Sequence, residues 1–316
     1  MRIDIAKAAG RLQSAEAVRV LTHQHPDGDT LGSAYALAYA LRTLGKRACV
    51  LCEDAIPADY AFITEDWRAD ELAHGLVAAV DVADERLLGK GLAARFAGRV
   101  DLCVDHHPTN SLYAAETLLE PKAAACAELV LLLIDALGVP LDEYIAACIY
   151  TGITTDTGCF RYANTTARTH RLAARCMERG ISSHALDTRF FETKTRSYAA
   201  LERMALDQMR DYCAGRVALT AVTQAMFRES GSNEDEYIRI CALPRQIEGV
   251  LVGVSVRERA DGVYKISLRS NGPIDASAIA ARMGGGGHFN AAGCESELGL
   301  EETIEKIIGY IEEALP

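Results

Sequence analysis

Apolar runs and helical patterns alternate along the first half of the chain. Short runs rich in Val, Leu, Ala and Cys predict strands at 18–22, 47–52, 76–80 and 100–104. Helices are predicted between and around them, at 1–15, 31–44, 57–66, 123–137, 142–151 and 165–179. This alternation is typical of an α/β domain, in which a mostly parallel sheet is flanked by helices.

The second half has a different pattern. Strands are predicted at 217–222, 250–256 and 263–270, and the dipeptide Asp261-Gly262 is a hairpin signal between the last two. Helices are predicted at 194–210, 275–283 and 301–315. We therefore predict an N-terminal domain over residues 1–190, a linker helix over 191–211, and a smaller C-terminal α/β domain with antiparallel strands over 212–316.

Polar side chains follow three of the predicted N-terminal strands, and one further acidic residue lies in a Thr- and Gly-rich segment predicted to be a loop. They are His23, Asp27 and Asp29; then Asp81; then Asp105, His106 and His107; and finally Asp156. Because the carboxyl ends of parallel strands meet at one edge of a sheet, we expect these side chains to converge there. A plainer alternative is that Asp29 caps a helix and the other carboxylates are solvated.

Oxygen and imidazole donors without thiolates favour Mn²⁺ or Mg²⁺, with Zn²⁺, Fe²⁺ and Co²⁺ less suited. The number of carboxylates suffices for two ions that share a bridging aspartate. Two such ions can stabilise both oxygens of an in-line phosphoryl displacement. The residues themselves therefore indicate a phosphate ester as the substrate class.

Charge limits the range of partners. The chain has 316 residues and a formal net charge of −11, so it is not built to coat long nucleic acid non-specifically. Neither a signal peptide nor an apolar run long enough to span a bilayer is present in the sequence. We therefore expect a cytoplasmic protein without a membrane partner.

Five motifs in order carry a family resemblance that spans residues 18 to about 293. They are H-x-x-x-D-x-D at 23–29, the strand-end Asp81, D-H-H at 105–107, Asp156 in its Thr/Gly-rich segment, and GGGGH at 284–288. The chain resembles the DHH/DHHA1 phosphoesterase superfamily, in which the first domain is catalytic and the second binds substrate. Within it, the length and two-domain layout are similar to those of bacterial oligoribonucleases that also act on 3′-phosphoadenosine 5′-phosphate (pAp).

The resemblance implies a role for each N-terminal residue. His23, Asp27 and Asp81 would bind one metal ion; Asp29, Asp81, His106 and Asp156 would bind the other. Asp81 would bridge the two ions, His107 would face the scissile phosphate, and Asp105 would orient a histidine. The catalytic set is thus His107, Asp81 and Asp105, while His25 is interpreted as a bystander.

The implied substrate-binding residues lie in the second domain. They are Arg269, Ser270, Gly285, Gly286, Gly287 and His288. Consecutive glycines disfavour regular structure and let backbone approach a ligand, so we expect a phosphate- or ribose-binding loop there. Arg257, Arg161 and Arg282 are interpreted as surface charges.

The resemblance predicts a two-metal phosphoesterase that uses Mn²⁺, with Mg²⁺ or Co²⁺ as possible substitutes. Its substrates would be short oligoribonucleotides and linear dinucleotides, cut to mononucleotides, and pAp, converted to AMP; long duplex nucleic acid would not bind. A homodimer is left open. Two alternatives remain at this point: a cyclic-dinucleotide phosphodiesterase of the same superfamily, and a non-catalytic nucleotide-binding module.

Overall fold

The computed structural model describes residues 1–65, 67, 72–234 and 236–316, without the side chains of residues 238 and 288. These residues form two compact units, Met1–Thr193 and Lys194–Pro316. Among the described helices, none has the length and apolarity that a membrane span requires.

The first unit is built on a parallel sheet of five strands in the order β2-β1-β3-β4-β5. The strands are β1 (Ala17–Leu21), β2 (Arg47–Leu51), β3 (Leu76–Val80), β4 (Leu102–Asp105) and β5 (Glu116–Leu119). The helices are α1 (Ile5–Ser14), α2 (Gly28–Thr43), α3 (Ala61–Thr64), α4 (Lys90–Phe96), α5 (Cys126–Ala136), α6 (Glu143–Asp156), α7 (Ala167–Met177) and α8 (Ser183–Asp187).

Alternate side chains of the strands pack into separate hydrophobic cores on the two faces of this sheet. On one face, Val20 and Val80 pack with the helices α2, α5 and α6. On the other, Leu21 and Ala79 pack with α4, which includes Phe96. The predicted α/β fold class is therefore confirmed: helices cover both faces of a parallel sheet.

Some elements differ from the sequence prediction. The strand β5 and the helix α4 were not predicted, and the helix predicted over 57–66 is a 3₁₀ turn, Ala58–Tyr60, followed by the short α3; residue 66 lies outside the described residues. The prediction of a loop around Asp156 is wrong, because Asp156 is the last residue of α6. The threonine hydroxyls in this helix have partners: those of Thr151 and Thr155 donate to carbonyls of α6, and that of Thr154 donates to Asp187.

Two glycines let α2 and α6 approach closely, and this contact brings the start of α2 beside the end of α6. A Cβ on Gly32 would lie 2.2 Å from the carbonyl oxygen of Cys148. A Cβ on Gly152 would lie 2.7 Å from a carboxylate oxygen of Asp29. Larger residues would therefore force the two helices apart.

The second unit contains a six-stranded sheet in the order β10-β11-β9-β8-β7-β6, antiparallel except for the parallel pair β7 and β8. The strands are β6 (Arg210–Tyr212), β7 (Val217–Val222), β8 (Val252–Glu258), β9 (Tyr264–Ser270), β10 (Gly286–His288) and β11 (Ala291–Ser296). The helices are α9 (Arg196–Asp207), α10 (Gln224–Ser230), α11 (Tyr237–Ile240), α12 (Ala276–Ala281) and α13 (Leu300–Ala314).

One face of the second sheet is fully apolar and the other is mixed. Residues such as Val254, Ile266 and Leu268 pack against α12 and α13, while α9, α10 and α11 form a separate cluster. The predicted antiparallel hairpin between β8 and β9 is present. The expectation that the glycine-rich segment is a loop is wrong in part, because 286–288 form the edge strand β10. The glycines have no side chains to pack, so backbone pairing with β11 holds this strand in place.

Candidate metal centre

The loop after β1 places a histidine and a carboxylate at the edge of the parallel sheet. His23 lies with Nδ1 2.8 Å from the Gln24 carbonyl oxygen, so Nδ1 carries the proton. Its Nε2 faces the cluster, 3.6 Å from carboxylate oxygens of both Asp27 and Asp81. Asp27 is fixed as the N-cap of α2, because one of its oxygens accepts bonds from the backbone N–H groups of Asp29 and Thr30 at 3.0 Å.

Asp81 occupies the middle of the cluster. Its φ angle is 58°, in the left-handed region, which few residues other than glycine, asparagine and aspartate tolerate. The residue is only 3% exposed, and its Oδ1 has no hydrogen-bond partner among the described residues. A buried carboxylate oxygen without a donor costs free energy unless a cation satisfies it.

His106 connects Asp81 to the remaining carboxylates. Its Nδ1 lies 3.1 Å from the Ala123 carbonyl oxygen and donates to it, which turns Nε2 towards the carboxylates. That nitrogen lies 3.3 Å from Asp156, 3.5 Å from Asp81 and 3.8 Å from Asp29. Both histidines thus donate from Nδ1 to a backbone carbonyl and direct Nε2 at the carboxylates, an arrangement typical of metal ligands.

Asp29 also stabilises the beginning of α5. Its carboxylate accepts backbone bonds from Cys126 at 2.6 Å and Ala127 at 2.8 Å, and the Ser33 hydroxyl donates to it at 3.3 Å. The residue before α5, Ala125, has no side chain that can cap the helix. Asp29 therefore does this from a distant part of the chain, which no local sequence signal reveals.

His107 is held differently from the other two histidines. Its Nδ1 donates to Asp105 at 2.8 Å, and the second oxygen of Asp105 accepts a bond from the Asn110 amide at 2.6 Å. Asp105 is fully buried, whereas the His107 side chain is 36% exposed. Asn110 was not singled out from the sequence; its place five residues after Asp105 is the only signal that could have suggested it.

The pKa values report an excess of negative charge. Burial and the charge of Asp29 raise the pKa of both Asp81 and Asp156 well above the usual range for aspartate. Burial disfavours the charged form of His23, but Asp27 and Asp81 outweigh it and raise its pKa to about 11. Protons are thus held where repelling carboxylates meet, and a divalent cation would relieve the same repulsion.

Three groups of donors each have one ligand atom per residue within 4.8 Å of the others. They are His23, Asp27 and Asp81; Asp29, His106 and Asp156; and Asp81, His106 and His107. The structure thus brings together every residue that the resemblance implied for metal binding. With the unpartnered oxygen of Asp81, these groups fit divalent metal ions. His25 lies outside all three groups, where it pairs with Asp54 at 2.8 Å.

The residues implied for substrate binding lie in the second unit, around β9, β10 and β11. Arg269 and the three glycines line an open groove of about 640 Å³. Ser270 is buried, and its hydroxyl donates to the Phe289 carbonyl at 3.2 Å. His288 belongs to β10, but its side chain lies outside the described residues.

The parallel sheet, with its histidine–carboxylate cluster at the strand ends, defines a hydrolase that depends on divalent metal. Residues 17–153 match the N-terminal domain of the DHH family, and residues 217–315 match the DHHA1 domain. The chain belongs to the DHH family of phosphoesterases.

Sequence similarity to two named proteins is consistent with this assignment. The bifunctional oligoribonuclease and PAP phosphatase NrnA of Thermus thermophilus is 33% identical, over 94% of this chain and 90% of that protein. The cyclic-di-AMP phosphodiesterase GdpP of Geobacillus thermodenitrificans is 24% identical, and the match covers 94% of this chain but only 47% of GdpP.

The same fold occurs in a crystal structure. An exopolyphosphatase-related protein from Bacteroides fragilis superposes with a TM-score of 0.88, at 24% identity, over 98% of this chain and 95% of that one.

Proposed function

We propose that the protein hydrolyses short oligoribonucleotides and linear dinucleotides to mononucleotides, and pAp to AMP, with two divalent metal ions. We assign catalysis to residues 1–190 and substrate binding to residues 212–316. The observation that carries the proposal is Asp81, a buried carboxylate that belongs to donor groups on either side of it. Support for the substrate class comes from the similarity to NrnA over nearly the whole chain.

The assignment of ligands follows the donor groups. His23, Asp27 and Asp81 would hold one ion, which matches one donor group as a whole. Asp29, His106 and Asp156 would hold the other, with Asp81 contributing through the oxygen 3.5 Å from His106 Nε2. Because the donors are carboxylate and imidazole without thiolate, Mn²⁺ is the proposed ion, and Mg²⁺ or Co²⁺ could replace it. Ions at these positions would supply Lewis acidity to the phosphoryl oxygens and acidify a water molecule.

His107 is proposed as the residue that meets the scissile phosphate. Burial favours its neutral form, but the hydrogen bond and charge of Asp105 raise the pKa of His107. The raised pKa favours the imidazolium form, in which Nε2 also carries a proton. A proton donated from Nε2 to the leaving oxygen, or the positive charge beside the phosphate, would favour cleavage. Asp105 acts through His107, and Asn110 in turn keeps Asp105 in place.

The second unit would hold the substrate. Arg269 has a guanidinium that can bind a phosphate through two parallel bonds, and no described carboxylate is paired with it. The glycines at 285–287 line the groove without side chains, so a ligand can approach the backbone closely there. The net charge of −11 disfavours long nucleic acids, which agrees with short substrates.

The test offers purified protein four substrates in parallel with Mn²⁺: pAp, linear pApA, a five-residue RNA and cyclic di-AMP. We expect AMP from pAp, mononucleotides from pApA and the RNA, and little or no product from cyclic di-AMP. Chelator should stop all turnover, and added Mn²⁺ should restore it.

Each alternative has its own outcome in this assay. Preferred turnover of cyclic di-AMP would support the cyclic-dinucleotide phosphodiesterase, which the match to half of GdpP does not favour. Tight binding without product under Mn²⁺ would support a non-catalytic module. Undiminished turnover in chelator would overturn the metal-dependent mechanism.

A further inference from the structure

One face of the second sheet remains open along β9 and β11. Side chains of β9 alternate, with Ile266 and Leu268 in the apolar core and Lys265, Ser267 and Arg269 on the opposite face. The helices α9 and α11 occupy that opposite side next to β7 and β8, where Thr220 bonds the Ala205 carbonyl and Tyr237 bonds Ser255. The groove therefore runs beside these helices.

The pairing of β9 with its neighbouring strands places cations at both ends of the groove and small residues between them. Arg269 pairs with Ala291 at one end, and Lys265 pairs with Arg257 at the other. Ser267, between them, pairs with Gly293. A floor of serine and glycine keeps large side chains out of the middle of the groove and leaves room there for sugars and bases.

The two cations at the far end differ in their surroundings. No described residue forms an ion pair with Lys265. Arg257 contacts Glu234 at 3.0 Å and lies over the Tyr237 ring, with its centroid 5.2 Å away, yet its buried Nε has no described hydrogen-bond partner. Its side chain is only 13% exposed, so the interpretation of Arg257 as a surface charge is wrong.

Other charges of this unit contrast with Lys265, because they are paired. Glu295 also lines the groove, opposite Lys265, but its carboxylate is paired with Arg259 at 3.0 Å. Arg282 is paired with Glu313 at 2.7 Å. Three cations and one carboxylate line the groove; Glu295 is paired with Arg259, and Arg257 with Glu234. With Lys265 and Arg269 outside any described ion pair, the groove is a local basic surface in a protein with a net charge of −11.

We propose that Arg257 and Lys265 form a second phosphate subsite, which binds the backbone of a single-stranded oligonucleotide beyond the nucleotide held near Arg269. The proposal rests on the proposed function, because it names how that substrate is held. Lys265 and Arg269 are four residues apart on one strand, or about 13 Å. An oligonucleotide of several residues carries further backbone phosphates that can reach Arg257 and Lys265, whereas pAp and pApA each carry only the two phosphates that flank one nucleoside.

The test compares substrates of different length with full-length protein and Mn²⁺. We expect Lys265→Gln to raise KM for 5′-phosphorylated pentaadenylate about tenfold, the effect of losing one charge-assisted hydrogen bond. The values of kcat for that substrate, and both constants for pAp and pApA, should stay within about twofold of wild type. In chelator, the slope of log affinity against log salt for the pentamer should fall by about 0.7.

Lys306→Gln is the matched control, because Lys306 is an exposed lysine on α13, on the other side of the sheet. Arg257→Gln should act as Lys265→Gln does, provided its thermal unfolding matches that of wild type. If both variants resemble Lys306→Gln, or weaken all three substrates equally, the subsite is overturned. If wild type cleaves none of the substrates, the proposed function itself fails.

Discussion

The histidine–carboxylate cluster of the first unit and the groove of the second unit carry opposite charges in opposite surroundings. The cluster gathers acidic side chains that are mostly buried, such as Asp29 and Asp81, and holds them by backbone and side-chain bonds. The groove offers cations on an open sheet face whose floor is small and polar. Buried like charges are stable only with a counterion, whereas exposed cations need none.

Because of this difference in charge and burial, the two regions are expected to control different kinetic constants. The cluster is proposed to act on the reacting phosphate, so its loss should lower kcat. The groove is proposed to hold parts of the substrate that do not react, so its loss should raise KM. The following predictions test that division, beginning with the largest effect.

Asp81→Asn is expected to lower activity and to raise the stability of the metal-free protein. Asparagine tolerates the left-handed φ of this position but removes the charge that the metal ions require, so kcat should fall on the order of 10³-fold or more. The metal-free protein should become more stable, by about 2–4 °C in Tm, because a repelling buried charge is gone. Asp207→Asn, at an exposed aspartate, should change neither quantity. A destabilised Asp81→Asn variant in chelator would contradict the electrostatic account.

Asn110→Ala and Arg269→Gln should affect different constants for pAp. Without the 2.6 Å bond to Asp105, His107 loses its fixed orientation, so Asn110→Ala should lower kcat about 10- to 100-fold with little change in KM. Arg269→Gln should raise KM about tenfold or more with little change in kcat. Steady-state kinetics measures both, and an equal effect of the two variants on the same constant would remove the division between the regions.

Gly152→Ala should show how strictly the cluster depends on helix packing. The added Cβ would lie 2.6 Å from Ala127 Cβ and 2.7 Å from an Asp29 oxygen, so unfolding free energy should fall by about 1–3 kcal/mol. Gly10→Ala in α1 is the control, since its Cβ would meet nothing within 4 Å and should stabilise by about 0.5–1 kcal/mol. Urea unfolding of both variants checks the sign, and a neutral Gly152→Ala would show that α2 and α6 can separate freely.

Glu236→Gln should give the smallest effect, in the second unit. Partial burial opposes ionisation of Glu236, but hydroxyl donors from Ser232 and Thr195 lower its pKa below the ordinary glutamate value of 4.5. Because its pKa is lower in the folded state, ionised Glu236 stabilises the fold above pH 4.5. This stabilisation is lost as the pH falls through the folded-state pKa. Wild type should therefore exceed the variant by less than about 1 kcal/mol at pH 7 and match it at low pH. A difference that grows on acidification would contradict this sign.

The fold class and the convergence of the cluster were predictable because their signals are local. A strand that ends in a polar side chain, as at Asp81, indicates a position at the sheet edge whatever the rest of the chain does. The short strand β5 and the helix α4 carry too few residues for a periodic pattern, so only their tertiary partners reveal them.

Other features depend on contacts between distant segments. The backbone bonds from α5 to Asp29 join residues about a hundred positions apart. The Asn110 bond depends on how the chain turns after His107. Strand register determines two features of the second unit: the glycine-rich segment pairs as β10, and Arg257 lies in the groove. The residue pattern within one strand does not determine that register.

The left-handed backbone at Asp81 restricts what evolution or design can place there. Among the coded amino acids, glycine, asparagine and aspartate enter that conformation at the lowest cost, and only aspartate among them is anionic. A glutamate would keep the charge at a higher backbone cost, and an asparagine would keep the low backbone cost without the charge. Aspartate is therefore the residue that places a negative charge on this backbone at the lowest cost.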